Sequence, residues 1–382
     1  MNSEKIKVGI AGRWNPRDKN AWSGIYYSTC AEIEKYFDTE FFFYKWPWHV
    51  RERLILHKQF QKLIRKKAAV EFLRGYGKYF SKQLEKELRG KKIDLLFVPS
   101  APQLVAYADI GVPMVYLTDA TFFQLQGYYP LFSDIARYNI EQGVAMDRLA
   151  FEKATHVILA SDWAKRSAVL DYGIPETKIS VVPFGANLDR IPTETEIKKD
   201  KNEICRLLFL GVEWERKGGQ IALDTFYQLK RNGFPVQLTI IGCVPPIPAT
   251  DPDIEVIPFI NRHNNEEAGR LYQIFRQTDF LLLPTRAECA GIVFCEASAF
   301  GVPSITTDTG GVSTNVINGV NGFALAPEAG AEAYAQKIRE YFSDDAVYRQ
   351  LSKSSRRKFE EDLNWEHWGK QFQQIAQRII TK

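Results

Sequence analysis

The sequence predicts an α/β protein with parallel sheets, on three observations. Short apolar, β-branched runs recur along the chain, they are continuous rather than alternating, and helical patterns fall between several of them. A continuous apolar run marks a strand buried on both faces. Strands that alternate with helices build βαβ units, whose strands lie parallel.

The strands come in two series. KVGIAG, DLLFVPS, VPMVYLT, HVILAS and ISVVPFG belong to the first half, and CRLLFLG, VQLTIIG, IEVIPF, DFLLLP and PSITT to the second. Helices are predicted over 23–37, 138–153, 219–231 and 266–277. A final helix over 364–380 carries Trp365, Trp368, Phe372, Ile375 and Ile379 at helical spacing and could dock on either series. The polar stretch IPTETEIKKDKNE, residues 191–203, separates the two. A chain of 382 residues holds roughly two to three domains, and each side of that stretch has the size of one doubly wound domain.

Composition narrows the classes. With 45% apolar and 25% charged residues the chain reads as soluble and globular. It has no run of about 18 uninterrupted apolar residues that would span a bilayer. Its start, MNSEKIKVGIAG, has no charged-then-apolar leader layout, which predicts a cytoplasmic protein. The five cysteines are widely spaced without a CxxC, as expected of reduced thiols rather than disulfides or a zinc site. The net charge of +4 is unevenly spread, because residues 51–92 hold fourteen Lys/Arg against four Glu.

The most informative stretch is AECAGIVFCEASA, residues 287–299. DFLLLP ends a strand at Pro284, and 285–290 read as a turn. A helix should begin around Gly291 and stop at Gly301, with Pro303 beyond. Glu288 is then a loop residue at the carboxyl edge of a parallel sheet, and Glu296 lies one turn inside the helix. Gly291, Ile292, Val293 and Phe294 offer N–H groups at the positive end of the helix dipole, a site for an anion. Ligands of open α/β sheets settle at this carboxyl edge. A phosphate over the helix start with a hydroxyl-bearing group at each carboxylate describes a sugar nucleotide; the alternative is two solvated surface charges. A second phosphate candidate is GVEWERKGGQ, residues 211–220, where Arg216 and Lys217 precede a helix near Gly219. Cations there oppose the helix dipole unless an anion binds. The glycine pair Gly310 and Gly311, after PSITT, reads as a turn. DPD at 251–253 also reads as a turn rather than a metal site, and Ser161 as a helix N-cap. Residues 41–92 pair FFFYKWPWHV with a basic helical stretch carrying Leu56, Phe60, Leu63, Phe72, Tyr76, Phe80, Leu84 and Leu88. This reads either as a surface for anionic lipid or as a packed helix pair with a charged outer face.

Glu288 and Glu296, with the GIVFCEASAFGVPSITTDTGG that runs through and after them, resemble the E-x7-E signature of the family 4 retaining glycosyltransferases. VEWERKGG, DYGIPETKISVVPFGANLD (171–189) and NGVNGFALAP (318–327) resemble further motifs of that family, in its order, and the likeness runs over nearly the whole chain. It implies a GT-B architecture, two Rossmann-like doubly wound domains facing across a cleft. An acceptor-binding domain over 1–190 would be completed by the returning C-terminal helix, 364–382, and a nucleotide-sugar domain would span 191–363. It implies no metal or cofactor, with a nucleotide sugar, UDP-glucose by the family's habit, as donor. Glu288 would hold the donor sugar hydroxyls. Ala290, Gly291, Ile292, Val293 and Phe294 would meet sugar and phosphate, and Glu296 the ribose. Lys217 would meet the diphosphate, Ile260 and Asn261 would lie at the base, and Ser23 and Gly24 would form the loop that approaches the diphosphate. Asp119, in LTDATF, would orient the acceptor hydroxyl or stabilise the reacting sugar carbon. Lys217 and Glu288 complete the catalytic set.

Three positions depart from the family pattern. Val212 stands where an arginine is usual, Thr118 and Asp119 stand in place of a histidine, and Thr314 replaces a glutamate after the double glycine. The function these residues imply is hexose transfer with retention to a saccharide or lipid-linked saccharide, in polysaccharide or glycolipid assembly. It would be cytoplasmic, with 41–92 available for contact with the inner membrane face and no nucleic-acid partner. The competing readings are an epimerase or phosphorylase on the same fold, or a protein that binds a sugar nucleotide without turning it over.

Overall fold

The computed structural model describes residues 6–44, 65–197, 203–246 and 251–381, with single positions at 52, 55 and 59. The chain divides into two compact units, one of residues 1–183 with 368–382 and one of 184–367. The divisions fall at 183/184 and 367/368, against the expected 190/191 and 363/364.

The first unit carries a six-stranded parallel sheet of order β2-β1-β3-β4-β5-β6. Its strands are β1 (Lys7–Gly12), β2 (Asp38–Phe43), β3 (Leu95–Pro99), β4 (Met114–Thr118), β5 (His156–Leu159) and β6 (Ile179–Val181). β3, β4 and β5 are buried at every residue, which is why they read as unbroken apolar runs. The second unit repeats the plan with order β12-β11-β10-β7-β8-β9. Its strands are β7 (Cys205–Leu210), β8 (Val236–Ile241), β9 (Ile254–Ile257), β10 (Phe280–Leu283), β11 (Ser304–Thr307) and β12 (Gly322–Leu325). The pairings recorded between neighbouring strands are parallel, for example Leu281 opposite Ser304 and Leu208 opposite Thr239.

The predicted strands are all present, and two more appear, β2 and β12. Each is an edge strand of its sheet. β2 has one fully buried residue and β12 is four residues long, so neither shows the doubly buried signature.

Both sheets reverse strand order beside their first strand. In the first unit β2 lies on one side of β1 and β3 on the other; in the second β8 and β10 flank β7. Such a switch point leaves a crevice at the carboxyl ends of the two diverging strands. Arg13 and Gln103 follow β1 and β3, and Lys217 and Glu288 follow β7 and β10.

The helix Trp365–Ile380 begins with Trp365 packed near Phe184 and donating to Asn187 at 2.9 Å, both in the second unit. From Trp368 on it belongs to the first unit, where Trp368 and Phe372 meet Phe97 at 6.0 and 5.0 Å. Burying such side chains stabilises by roughly 1.5–3 kcal/mol each, which settles the docking that spacing left open. Among the described residues no helix is long and apolar enough to cross a membrane. In the helix Arg74–Leu88, Phe80 and Leu84 are buried, and Tyr76 and Leu88 pack against the same core. The apolar stripe therefore faces inward in this part of the basic segment, against the lipid-facing reading. Leu56, Phe60 and Leu63 lie outside the described residues.

Candidate functional site

The loops after β7 and β10 are neighbours because their strands pair, Phe280 opposite Leu207. They are then stitched together. The Arg286 N–H donates to the Arg216 carbonyl at 2.7 Å, and Arg216 Nη1 donates to the Ala287 carbonyl at 2.9 Å. Gly218 makes the approach possible. Its φ is +73°, and a Cβ there would run into the Pro284 carbonyl. The result is an ion pair between residues 71 apart in sequence, Lys217 Nζ with Glu288 Oε2. Arg216 stands 3.7 Å from the same carboxylate and is forked onto Glu213 at 2.7 and 3.3 Å. This hydrogen bond from Arg216 holds the Glu213 carboxyl below the usual range. The side chains of Lys217 and Glu288 are only 11% and 12% exposed, so the solvated-surface reading fails for Glu288.

A third loop closes on this pair. The Gly311 N–H donates to the Glu288 carbonyl at 3.0 Å, which gives the double-glycine turn a structural purpose. Asn315 donates its side-chain amide to the Ala290 carbonyl. Gly291 has φ +68° and N-caps the helix Ile292–Ala299; a Cβ on it would press on the Phe294 ring and on Glu288 Cγ. The helix starts where the sequence predicts, but one of the four amides assigned to an anion is taken. The Phe294 N–H donates to the Gly291 carbonyl at 3.0 Å, so the cradle is narrower than expected. Ile292 and Val293 are partly exposed at its first turn.

Glu296 is 2% exposed and is not a surface charge. Both its oxygens accept from Arg262, Nη1 at 2.5 Å and Nη2 at 3.0 Å. The carboxylate raises the Arg262 pKa above its ordinary value. Sequence reasoning missed Arg262, although it lies next to Asn261 after β9. Asn261 itself makes a turn, with its N–H on Glu267 at 2.7 Å and its side-chain oxygen accepting from His263 at 3.0 Å. Ile260 packs against the core of the unit. Val212, at the usual arginine position, is 70% exposed, and Arg216 supplies the guanidinium beside Glu288 instead.

The remaining expected residues belong to the first unit. Ser23 and Gly24, with Trp22, form a run at φ +55°, +85° and +51°, immediately before the helix Ile25–Tyr36. Left-handed backbone costs roughly 1–2 kcal/mol per non-glycine residue, so Trp22 and Ser23 hold strain where the sequence placed a ligand loop. Asp119 is half-buried after β4. The cap of the next helix, Phe122–Leu125, is Thr121 with a capping box to Gln124, so Asp119 is not the residue that caps it. Arg13 feels the charge of Asp119, while burial lowers its own pKa to about 10. Ser161 is the N-cap expected, accepting from the Ala164 N–H at 3.2 Å.

The same unit buries Asp147, which sequence reasoning also missed. It is 3% exposed, accepts from the Phe122 N–H at 2.8 Å and stands 3.4 Å from the Tyr116 hydroxyl. Burial pushes its carboxyl up to about 7 from 3.8. A carboxyl raised in the fold keeps a proton that the unfolded chain has lost, so this group makes stability fall as pH rises from about 4 to about 7. Asp147→Asn should remove that slope, up to ~1.4 kcal/mol per pH unit, in urea unfolding across the interval. Parallel curves for parent and variant would refute it. His156, which burial holds neutral with its pKa lowered to about 4, acts in the opposite direction, so the difference between the two proteins is the quantity to read.

Two doubly wound units, the second with a Lys–Glu pair and a glycine-led helix start at its switch point, define an α/β class that takes its ligands at the carboxyl ends of its strands. Comparison with known proteins agrees. Residues 34–190 match the family model described as Glycosyltransferase Family 4, and residues 205–344 the one described as Glycosyl transferases group 1. The chain belongs to this glycosyltransferase family. A capsular polysaccharide biosynthesis glycosyltransferase, CapM, of Staphylococcus aureus is 25% identical over 240 residues, 58% of this chain and 62% of that one. A glycogen synthase of Mycobacterium tuberculosis is 27% identical over 205 residues, 51% and 47% of the two chains. The matched stretch thus spans about half to three-fifths of these curated relatives. Among solved structures, a glycosyltransferase of Rickettsia africae superposes with TM-score 0.68 at 15% identity, covering all of both chains. HepE of Anabaena, solved with UDP and glucose, gives 0.62 at 14% identity over 98% and 100% of the two. At these identities the likeness establishes the fold, GT-B.

Proposed function

We propose that the chain transfers a hexose from a nucleoside-diphosphate sugar, UDP-glucose first, to a hydroxyl of a saccharide or lipid-linked saccharide, with retention of configuration. The observation that carries this reading is the Lys217–Glu288 pair at the β7/β10 switch point, beside a helix start led by a left-handed glycine. Lys217 and Arg216 supply fixed positive charge without a resident metal. Oriented amides at the helix Ile292–Ala299 add to it, and charge fixed before reaction is commonly the largest single catalytic term. Support for UDP-glucose comes from the UDP and glucose bound to HepE, a protein of the same fold.

In this reading the second unit takes the donor and the first the acceptor. Glu288 holds sugar hydroxyls, and the Glu296–Arg262 pair borders the ribose and base near Ile260 and Asn261. The bond from the anomeric carbon to the phosphate oxygen breaks, and a bond to the acceptor oxygen forms on the same face. The acceptor proton passes to the departing phosphate oxygen, whose charge Lys217 and Arg216 stabilise. Asp119 orients the acceptor hydroxyl or stabilises the positive sugar carbon. By the family resemblance, Ser23 and Gly24 would serve as the loop that approaches the diphosphate.

A thermal-shift panel of nucleotide sugars and free nucleotides tests the reading. A ligand at 100 times its Kd adds ~2.7 kcal/mol of stability. UDP-glucose should give the largest shift, and Glu288→Ala should reduce the shift from UDP-glucose more than that from UDP. A panel with no stabilising nucleotide sugar would end the proposal. Binding without turnover on any saccharide acceptor would favour the non-catalytic reading.

A further inference from the structure

The first unit contains a pocket of about 260 Å³ lined by Arg13, Trp14, Tyr44, Glu71, Phe80 and Gln103, among others. We propose that it receives an uncharged, ring-sized, hydroxylated group, a neutral monosaccharide unit of the acceptor. The inference rests on the transferase reading above and adds the class of acceptor.

Position is the first argument. Arg13 follows β1, Tyr44 follows β2 and Gln103 follows β3. The pocket therefore opens at the carboxyl ends of the strands around the first unit's own switch point, where such sheets bind ligands.

Chemistry is the second. Arg13 is paired with Glu71, so the two formal charges cancel. What remains is a row of N–H donors beside a row of carboxylate acceptors. That suits a group that both donates and accepts, as hydroxyls do, and gives no net attraction to a phosphate or a carboxylate. Arg13 Nε is buried and has no hydrogen-bond partner among the described residues. Buried polar atoms are almost always bonded, so a donor left over on a pocket wall points to a ligand acceptor. Tyr44 and Gln103 also line the pocket.

Shape is the third. The Trp14 ring is held by the Arg13 guanidinium at 4.2 Å, Trp22 at 6.1 Å and Tyr26 at 5.6 Å. With Phe80 it gives the pocket apolar lining beside the polar groups, a mixture suited to a ring that carries both C–H and O–H groups. The volume falls just below the roughly 300–1,000 Å³ of pockets that take drug-sized ligands, which fits one ring rather than an oligosaccharide.

The test uses the full chain and free probes. Glucose, galactose and N-acetylglucosamine stand for neutral rings, and glucuronate and inorganic phosphate for anions. Binding is read by saturation-transfer NMR, with UDP affinity measured in parallel. At least one neutral sugar should bind in the millimolar range. Trp14→Ala and Gln103→Ala should each weaken it about tenfold and leave UDP affinity unchanged. Arg13→Ala should do the same, and because it unpairs Glu71 its thermal melt is compared with that of the parent. Binding of glucuronate or phosphate in preference to every neutral sugar would overturn the inference. So would equal sugar binding in parent and all three variants, or no sugar binding by a parent that still binds UDP. That last result leaves the transferase reading standing, whereas a parent that binds neither UDP nor any nucleotide sugar removes both.

Discussion

Lys217→Ala should lower kcat by about 10²–10³-fold, the loss seen when one preorganised electrostatic group is removed from a charged transition state. The ammonium is held by Glu288 and by the Arg216–Ala287 stitch. In the proposed reaction it would stand where the departing diphosphate develops charge. Its side chain is 11% exposed, so water does not replace it at full strength. UDP affinity should also fall, because the same charge serves the ground state, but by less than kcat. Glu213→Ala is the control. That carboxylate is 51% exposed and is forked onto Arg216 rather than onto Lys217, and its loss should cost less than tenfold. Steady-state rates with UDP-glucose and a competent acceptor decide the matter. A Lys217→Ala protein within threefold of the parent would mean that the pair is structural and the chemistry lies elsewhere.

Arg262→Ala should destabilise the protein by about 1–3 kcal/mol, less than the roughly 3–5 kcal/mol of a fully buried ion pair, because the Arg262 side chain is 41% exposed while Glu296 is not. Glu296 is 2% exposed, and both its oxygens accept from the same guanidinium. The variant leaves a carboxylate that is 2% exposed without its fork, and water reaches it only from the side that Arg262 had covered. The cost is therefore the penalty of an orphan charge, not the net worth of the pair. Replacing both residues together, Arg262→Met with Glu296→Leu, should recover most of the loss in stability, since a buried pair exchanged for apolar groups is often close to neutral. Calorimetric melts of the parent, the single and the double variant make the comparison. A single variant that melts with the parent would show that Glu296 has another partner or is protonated. Nucleotide affinity measured on the double variant then reports what the pair contributes to the ligand, apart from what it contributes to the fold.

The features legible in the sequence share one property: the signal and the structure are local. The central strands are buried on both faces and announce themselves as unbroken apolar runs. Gly219, Gly291 and Gly301 mark helix ends because chain direction changes there. Glu288 and Lys217 were legible as candidates because each directly follows a strong strand. The edge strands β2 and β12 escaped notice because DTEFFF and GFAL lack two buried faces or sufficient length. Arg262, Arg13 and Asp147 escaped for a different reason. Each acquires meaning from a partner far along the chain, Glu296, Glu71 or the Phe122 amide, and no periodicity encodes such a meeting. The apolar stripe of 74–88 was legible, but which way it faced was not. A stripe at helical spacing looks the same whether it meets a core or a lipid, and only the packing of Phe80 and Leu84 against the sheet decides.

Periodicity and punctuation, with no coordinates, were enough for two α/β series, a helix beginning at Gly291, and two carboxylates and a lysine near strand ends. Those follow from backbone sterics and from the need to bury apolar faces, which act over a few residues. Tertiary structure alone determined that Lys217 meets Glu288, that Glu296 is locked to Arg262 rather than solvated, that the final helix docks on the first unit, and that Arg13 and Glu71 neutralise each other in a pocket. Those are matters of charge pairing and strand order, and they exist only once parallel neighbours such as β7 and β10 bring distant loops to the same edge.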